Sequence, residues 1–197
     1  VAELVRKPVT WAFLFANFAL QAGGLLFTTH LGDIVESRGM DKALADTSVT
    51  LFSCASCLGR LFGGTFSEMA INRKITRPWC MVLLLGQTAI AVAALCFPGR
   101  GALMFGVVLG GLTYGMGYPQ LVLIIADLFG TKNMAPNLLF FAGMSSASAS
   151  LVVVKFLASI VYNAHTDEGE RVCYGSGCFQ LTYVGVIVIQ FIAGVAA

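Results

Sequence analysis

Charged residues divide this chain into long, nearly uncharged stretches near 9–31, 46–66, 78–97, 102–126, 136–163 and 180–197. Each runs about 17–28 residues, and crossing the hydrocarbon core as a helix takes roughly 20. A segment exposed to lipid must satisfy its own backbone, which a helix does. The alternating ten-residue pattern of an outer-membrane barrel is absent. The rest of the composition agrees: 11% of residues are charged and 57% hydrophobic, against about 25% charged in soluble domains. Such a chain cannot cover itself with a charged surface, which excludes a water-soluble enzyme domain. A net charge of +2, with no basic run longer than Arg73-Lys74, also excludes a surface that tracks nucleic-acid phosphates. The expected fold is an all-α integral membrane protein, one bundle of six transmembrane helices over residues 1–197. The bilayer is its first partner, and the sequence leaves open which membrane. The chain starts at Val1 rather than Met and is still apolar at Ala197, as expected of a piece of a longer polypeptide.

Basic residues give an orientation. Arg6, Lys7, Arg60, Arg73, Lys74, Arg77 and Lys132 fall on one side. Arg38, Lys42, Arg100 and Arg171 fall on the other, with most of the acids, and Lys155 lies inside the fifth span. The positive-inside rule places the start of the chain and the 67–77 and 127–135 loops in the cytoplasm.

The six spans also divide into two sets of three. The first span of each set is interrupted by glycine: Gly23-Gly24 in span one, and Gly110-Gly111, Gly115 and Gly117 before Pro119 in span four. Paired interruptions at corresponding places in inverted repeats point to a transporter's binding site, where loosened turns bend during gating. The same glycines also suit close helix packing, as in Gly106-x-x-x-Gly110.

Polar residues inside spans are the candidates for contact with a solute, because each is costly unless satisfied or wetted. Asn17, Gln21 and Thr28 share a helix face, as do Tyr114 and Tyr118 beside Pro119. Ser148, Lys155, Ser159 and Tyr162 form a further stripe. Lys155, an ammonium deep in an apolar helix, needs a carboxylate, water or an anionic solute, unless its long stem reaches the interface. Spans three and six carry little beyond Gln87, Thr88 and Gln190.

Several stretches resemble one family. GRLFGGTFSEMAINRKITRPW (59–79) is similar to the loop between the second and third helices of a half in the major facilitator superfamily. THLGDIVESRG (29–39), YPQLVLIIADLFGTKNMAPNLLFFAGMSSASAS (118–150) and CYGSGCF (173–179) resemble its nodulin-like branch. The resemblance covers nearly the whole chain and matches the C-terminal six-helix half, with 3+3 inverted repeats. It implies that spans one, two, four and five line a cavity while three and six face lipid. It also implies a cytoplasmic gate of charges at Arg60, Glu68, Arg73 and Asp127; solvated surface pairs are the plainer alternative.

The implied function is secondary transport of a small organic solute by alternating access, with monocarboxylates and other anions as candidates. Asn17, Gln21, Tyr114, Tyr118 and Lys155 would contact the solute. The implied partner is an N-terminal six-helix half or another membrane subunit. The competing reading is a structural subunit or anchor that transports nothing. Cys173 and Cys178 bracket a short outer loop and suit a disulfide, whereas Cys54 and Cys57 lie inside span two, away from any redox or metal setting. No enzyme, cofactor-binding or metal motif occurs, so neither a cofactor nor a metal is expected.

Overall fold

The computed structural model describes residues 7–72, 74, 76–158, 160 and 177–196. Helix α1 spans Pro8–Ser37, α2 Lys42–Asn72, α3 Arg77–Ala94 and α4 Arg100–Phe129. Helix α5 covers Met134–Ala149 and continues as a π-helical stretch over Ser150–Ala158; α6 is Gly177–Ala196. Six helices are long and apolar enough to cross a membrane, and no strand occurs among the described residues.

Several helices outrun the uncharged stretches that announce them. Only lipid contact demands low charge, so a helix continues through charged residues once it leaves the hydrocarbon. Helix α2 is the clearest case, running from Lys42 past Glu68 to Asn72. Prolines sit in the first turns of α1 and α3, where a missing N–H costs nothing. Helix α4 ends at Gly130, whose φ of 73° suits only glycine without strain.

Contacts between helices reproduce the two sets of three. Exchanging α1 with α4, α2 with α5 and α3 with α6 maps the α1–α5 contact onto α4–α2, and α3–α4 onto α6–α1. The α3–α6 and α1–α4 contacts map onto themselves. Phe13 meets Phe141 and Asn17 meets Ser145, so α1 and α5 run parallel. Gly111 lies against Phe52 and Gly115 against Ser56, so α2 and α4 run parallel as well.

Two apolar clusters fill the interior. One, with Phe27, Leu31, Ile34, Val107 and Val186, lies towards the end holding Asp33, Glu36 and Asp41, the acidic end. The other, with Phe13, Leu84, Leu121, Ile125 and Phe141, lies towards the end holding Lys7, Lys74 and Arg77, the basic end. Arg38 ties the acidic end together by donating to the carbonyls of Leu95 and Phe97, where α3 has finished. A cation at a helix C-terminus is favoured by the carbonyl dipoles left unpaired there.

The glycine-rich first helices differ from the broken helices that their sequence suggests. Both α1 and α4 are continuous, α4 even through Pro119. Their glycines create close approaches instead: Gly23 faces Gln190 and Thr88, Gly24 faces Tyr114, Gly110 faces Phe27, and Gly115 faces the backbone of Ser56. Side-chain loss lets these helices touch through backbone, the usual device where lipid offers no hydrophobic drive to association.

Candidate functional site

Where α2, α4 and α5 meet, an open groove of about 500 Å³ is lined by Arg60, Tyr118, Pro119, Leu138, Leu139 and Ala142. The Arg60 guanidinium lies over the Tyr118 ring, 4.9 Å from its centroid. The Tyr118 hydroxyl is 3.2 Å from that of Tyr114, one turn away on the same face of α4. Tyr114 is held in turn by Phe52, with ring centroids 6.0 Å apart, and by the space that Gly24 leaves. The result is a row of aromatic rings, tilted or edge-on to one another, with the Arg60 guanidinium over its last member.

Arg60 therefore stands apart from the gate to which its sequence context assigns it. It is twelve residues, about 18 Å along the axis, from Asn72 at the end of α2. Arg60 thus lies well inside α2 rather than at its end. The signal lay in the sequence: between Arg60 and Asn72 only Glu68 is charged, so the helix runs on past Arg60. Among the described residues no carboxylate lines the groove. A guanidinium held over a ring face still has N–H donors to offer, and their fork matches a carboxylate.

Lys155 lies in the π-helical stretch of α5 with its side chain exposed. π-Helical turns within α-helices recur at functional positions. Ser159 and Tyr162, from the same stripe, lie outside the described residues, and so do Cys173 and the side chain of Cys178.

Asn17 and Gln21 take buried rather than cavity-lining places. Asn17 donates to the Ser145 hydroxyl at 2.6 Å and to the Phe141 carbonyl at 3.4 Å, which joins α1 to α5. Gln21 is also buried, and its Oε1 has no hydrogen-bond partner among the described residues. The physical reason is that a polar residue in an apolar helix can be satisfied by a neighbouring helix as well as by water. Asn17→Leu is expected to destabilise the fold by only about 1 kcal/mol. Ser145 still donates to the Phe141 carbonyl at 2.6 Å, so no partner is stranded. Thermal unfolding in detergent, together with solute affinity that stays at the parental value, checks this.

At the basic end, Asp127 pairs with Arg77 at 2.5 Å, and Arg77 also donates to the Leu123 carbonyl at 3.2 Å. The pair joins the end of α4 to the start of α3, each charge facing the helix terminus whose dipole favours it. Arg77, which reads in the sequence as one more solvated topology charge, is thus the partner of Asp127. Glu68 is exposed and forms no ion pair among the described residues, and Arg73 lies outside them.

The four free cysteines described include Cys54 and Cys57, exposed on α2. No cluster of His, Cys, Asp or Glu able to hold a metal occurs among the described residues.

Comparison with known proteins places this geometry. The family model "NFD4, C-terminal domain" matches residues 1–197. The chain belongs to that family. It is a nodulin-like family related to the major facilitator superfamily. The chain is 26% identical over 190 residues to Protein NUCLEAR FUSION DEFECTIVE 4 of Arabidopsis thaliana, covering 92% of this chain and 32% of that protein. It is 30% identical over 145 residues to the uncharacterized MFS-type transporter YhjX of Escherichia coli (strain K12), covering 70% of this chain and 34% of that protein. The chain thus spans about a third of the length of these relatives. No solved structure matches significantly. With six apolar helices and this kinship, the chain is an integral, multi-pass membrane protein.

Proposed function

We propose that this chain is the C-terminal half of a secondary transporter that carries a small organic anion by alternating access. The observation that carries the reading is Arg60, a cation within the membrane-spanning part, laid over Tyr118 in an apolar groove without a carboxylate. Leaving such a charge unpaired is costly, and an anionic solute supplies what the protein does not. Lys155, exposed on α5 roughly 19 Å along the helix from Ala142, would be a separate station for the anion on its path rather than part of the Arg60 groove.

The exposure of α2 and α5 fits a partner bundle. Only 28% of the apolar window of each is buried, against 61% in α1 and 50% in α4. A second six-helix half against these faces would close the groove into a cavity. Alternating access then means rocking of the two halves around that cavity. The Arg77–Asp127 pair joins two helices of this half and would move with it as a rigid corner.

The full polypeptide, reconstituted into liposomes, is expected to accumulate a labelled monocarboxylate. Other organic anions should compete, and neutral or cationic analogues should not. Lys155→Gln should raise KM about tenfold, the equivalent of about 1.4 kcal/mol of lost binding. If folded protein moves no anion at all, transport is the wrong reading, and the structural-subunit role takes its place.

A further inference from the structure

We propose that the start of α3 is a binding site for an anionic phospholipid. Its phosphate would sit at Lys74 and Thr76, and one acyl chain would lie along the outward stripe of the helix. A groove of about 430 Å³ is lined by Lys74, Thr76, Trp79 and Leu83. A cation and a hydroxyl stand at one end of it, an indole and an isobutyl group at the other. That is the order of chemistry across a phospholipid, from phosphate through glycerol to hydrocarbon.

Several observations make the groove amphipathic in the required direction. Lys74 is exposed and forms no ion pair among the described residues. Thr76, at the helix start, makes no side-chain capping hydrogen bond among the described residues, and its hydroxyl is exposed. Its neighbour Arg77 is already neutralised by Asp127, which lines an adjoining groove that Lys74 and Thr76 also border. With that carboxylate taken up by Arg77, the charge left to meet an arriving phosphate is that of Lys74.

The apolar half continues down the helix. Trp79, Leu83 and Ile90 are exposed, and they lie along one face of α3. Between Leu83 and Ile90 the same face carries Gly86, where an added Cβ would meet nothing within 4 Å. The stripe thus carries no side chain between Leu83 and Ile90, which leaves space there for an acyl chain. A tryptophan at a helix end belongs at the headgroup level of a bilayer, and a lysine beside it attracts anionic lipid by about 1 kcal/mol. The position at the membrane boundary makes a lipid, rather than a soluble phosphate, the occupant.

The test is fluorescence quenching in phosphatidylcholine vesicles containing a minor fraction of acyl-brominated phosphatidylglycerol, or the same fraction of brominated phosphatidylcholine. The signal is the emission that Trp79→Phe removes from the full polypeptide. Enrichment by about 1 kcal/mol corresponds to roughly fivefold, so brominated phosphatidylglycerol should quench this component two- to fivefold more strongly. Lys74→Gln, an exposed change that leaves the core alone, should bring the ratio to about one. Excess inorganic phosphate in the buffer should leave the parental ratio intact. Equal quenching by the two lipids overturns the proposal. So does a ratio that survives Lys74→Gln, or one abolished by free phosphate, which would mark a soluble-anion site. Solute transport is not read in any arm, so this result stands or falls apart from the transport reading.

Discussion

Arg60→Gln in the full polypeptide is expected to lower kcat/KM for anion uptake by about two orders of magnitude. A charged hydrogen bond or bidentate pair contributes about 1.5–3 kcal/mol, and about 1.4 kcal/mol is tenfold. The loss should fall on transport and not on folding, because Arg60 is exposed in the groove and fills no part of either apolar cluster. Arg60→Lys separates charge from shape. The ammonium keeps the charge but neither stacks flat on Tyr118 nor offers a fork, so a loss of about tenfold is expected. Tyr118→Phe keeps the ring beneath the guanidinium and removes only the hydroxyl contact with Tyr114, so its effect should be a few-fold at most. Initial rates in proteoliposomes, normalised to protein that elutes as a folded species, give the comparison. If Arg60→Gln transports as the parent does, the groove is not the solute's site.

Legibility in the sequence followed the physics of each feature. The spans could be read because lipid exposure penalises every charge, so the uncharged runs mark the helices directly. Helix ends could not be read so well, since beyond the hydrocarbon nothing forbids a charge inside a helix. That is why Arg60 reads as the end of a span although α2 continues to Asn72. Polar residues inside spans were visible, but not their partners. Asn17 and Tyr118 are equally conspicuous in the sequence, yet Asn17 bonds to Ser145 across a helix contact while Tyr118 opens onto the groove. Pairing across more than a hundred residues depends on which helices are neighbours, and composition does not carry that information. Asp127 shows the same limit: an arginine partner could be foreseen, but its identity as Arg77 follows from α3 packing on α4.

Glycine substitutions on α2 and α4 are expected to give the largest effect on folding, and to separate by position rather than by residue type. A Cβ on Gly115 would overlap the carbonyl oxygen of Ser56 and come within 2.9 Å of its carbonyl carbon. Those are backbone atoms and cannot rotate away. Gly59 faces the Leu112 carbonyl in the same manner, so the two helices approach through paired glycines and neither can yield alone. Gly115→Ala gains about 1 kcal/mol of helix propensity and loses more than that by forcing α2 and α4 apart. Overpacking costs about 1–3 kcal/mol for a small insertion, and more where backbone resists. Gly115→Leu should remove most folded protein, and Gly115→Ala should lower Tm by roughly 5 °C. Gly64 is the control: it lies one residue from Gly63, where an added Cβ would come within 2.5 Å of the Pro119 ring, yet its own Cβ would meet nothing within 4 Å. Gly64→Ala should leave Tm unchanged or raise it slightly, through propensity alone. Scanning fluorimetry of the purified full polypeptide measures all three. Were Gly115→Ala and Gly64→Ala to shift Tm equally, the close α2–α4 contact would not be what these glycines serve. Bending of α4 would then become the better account of them.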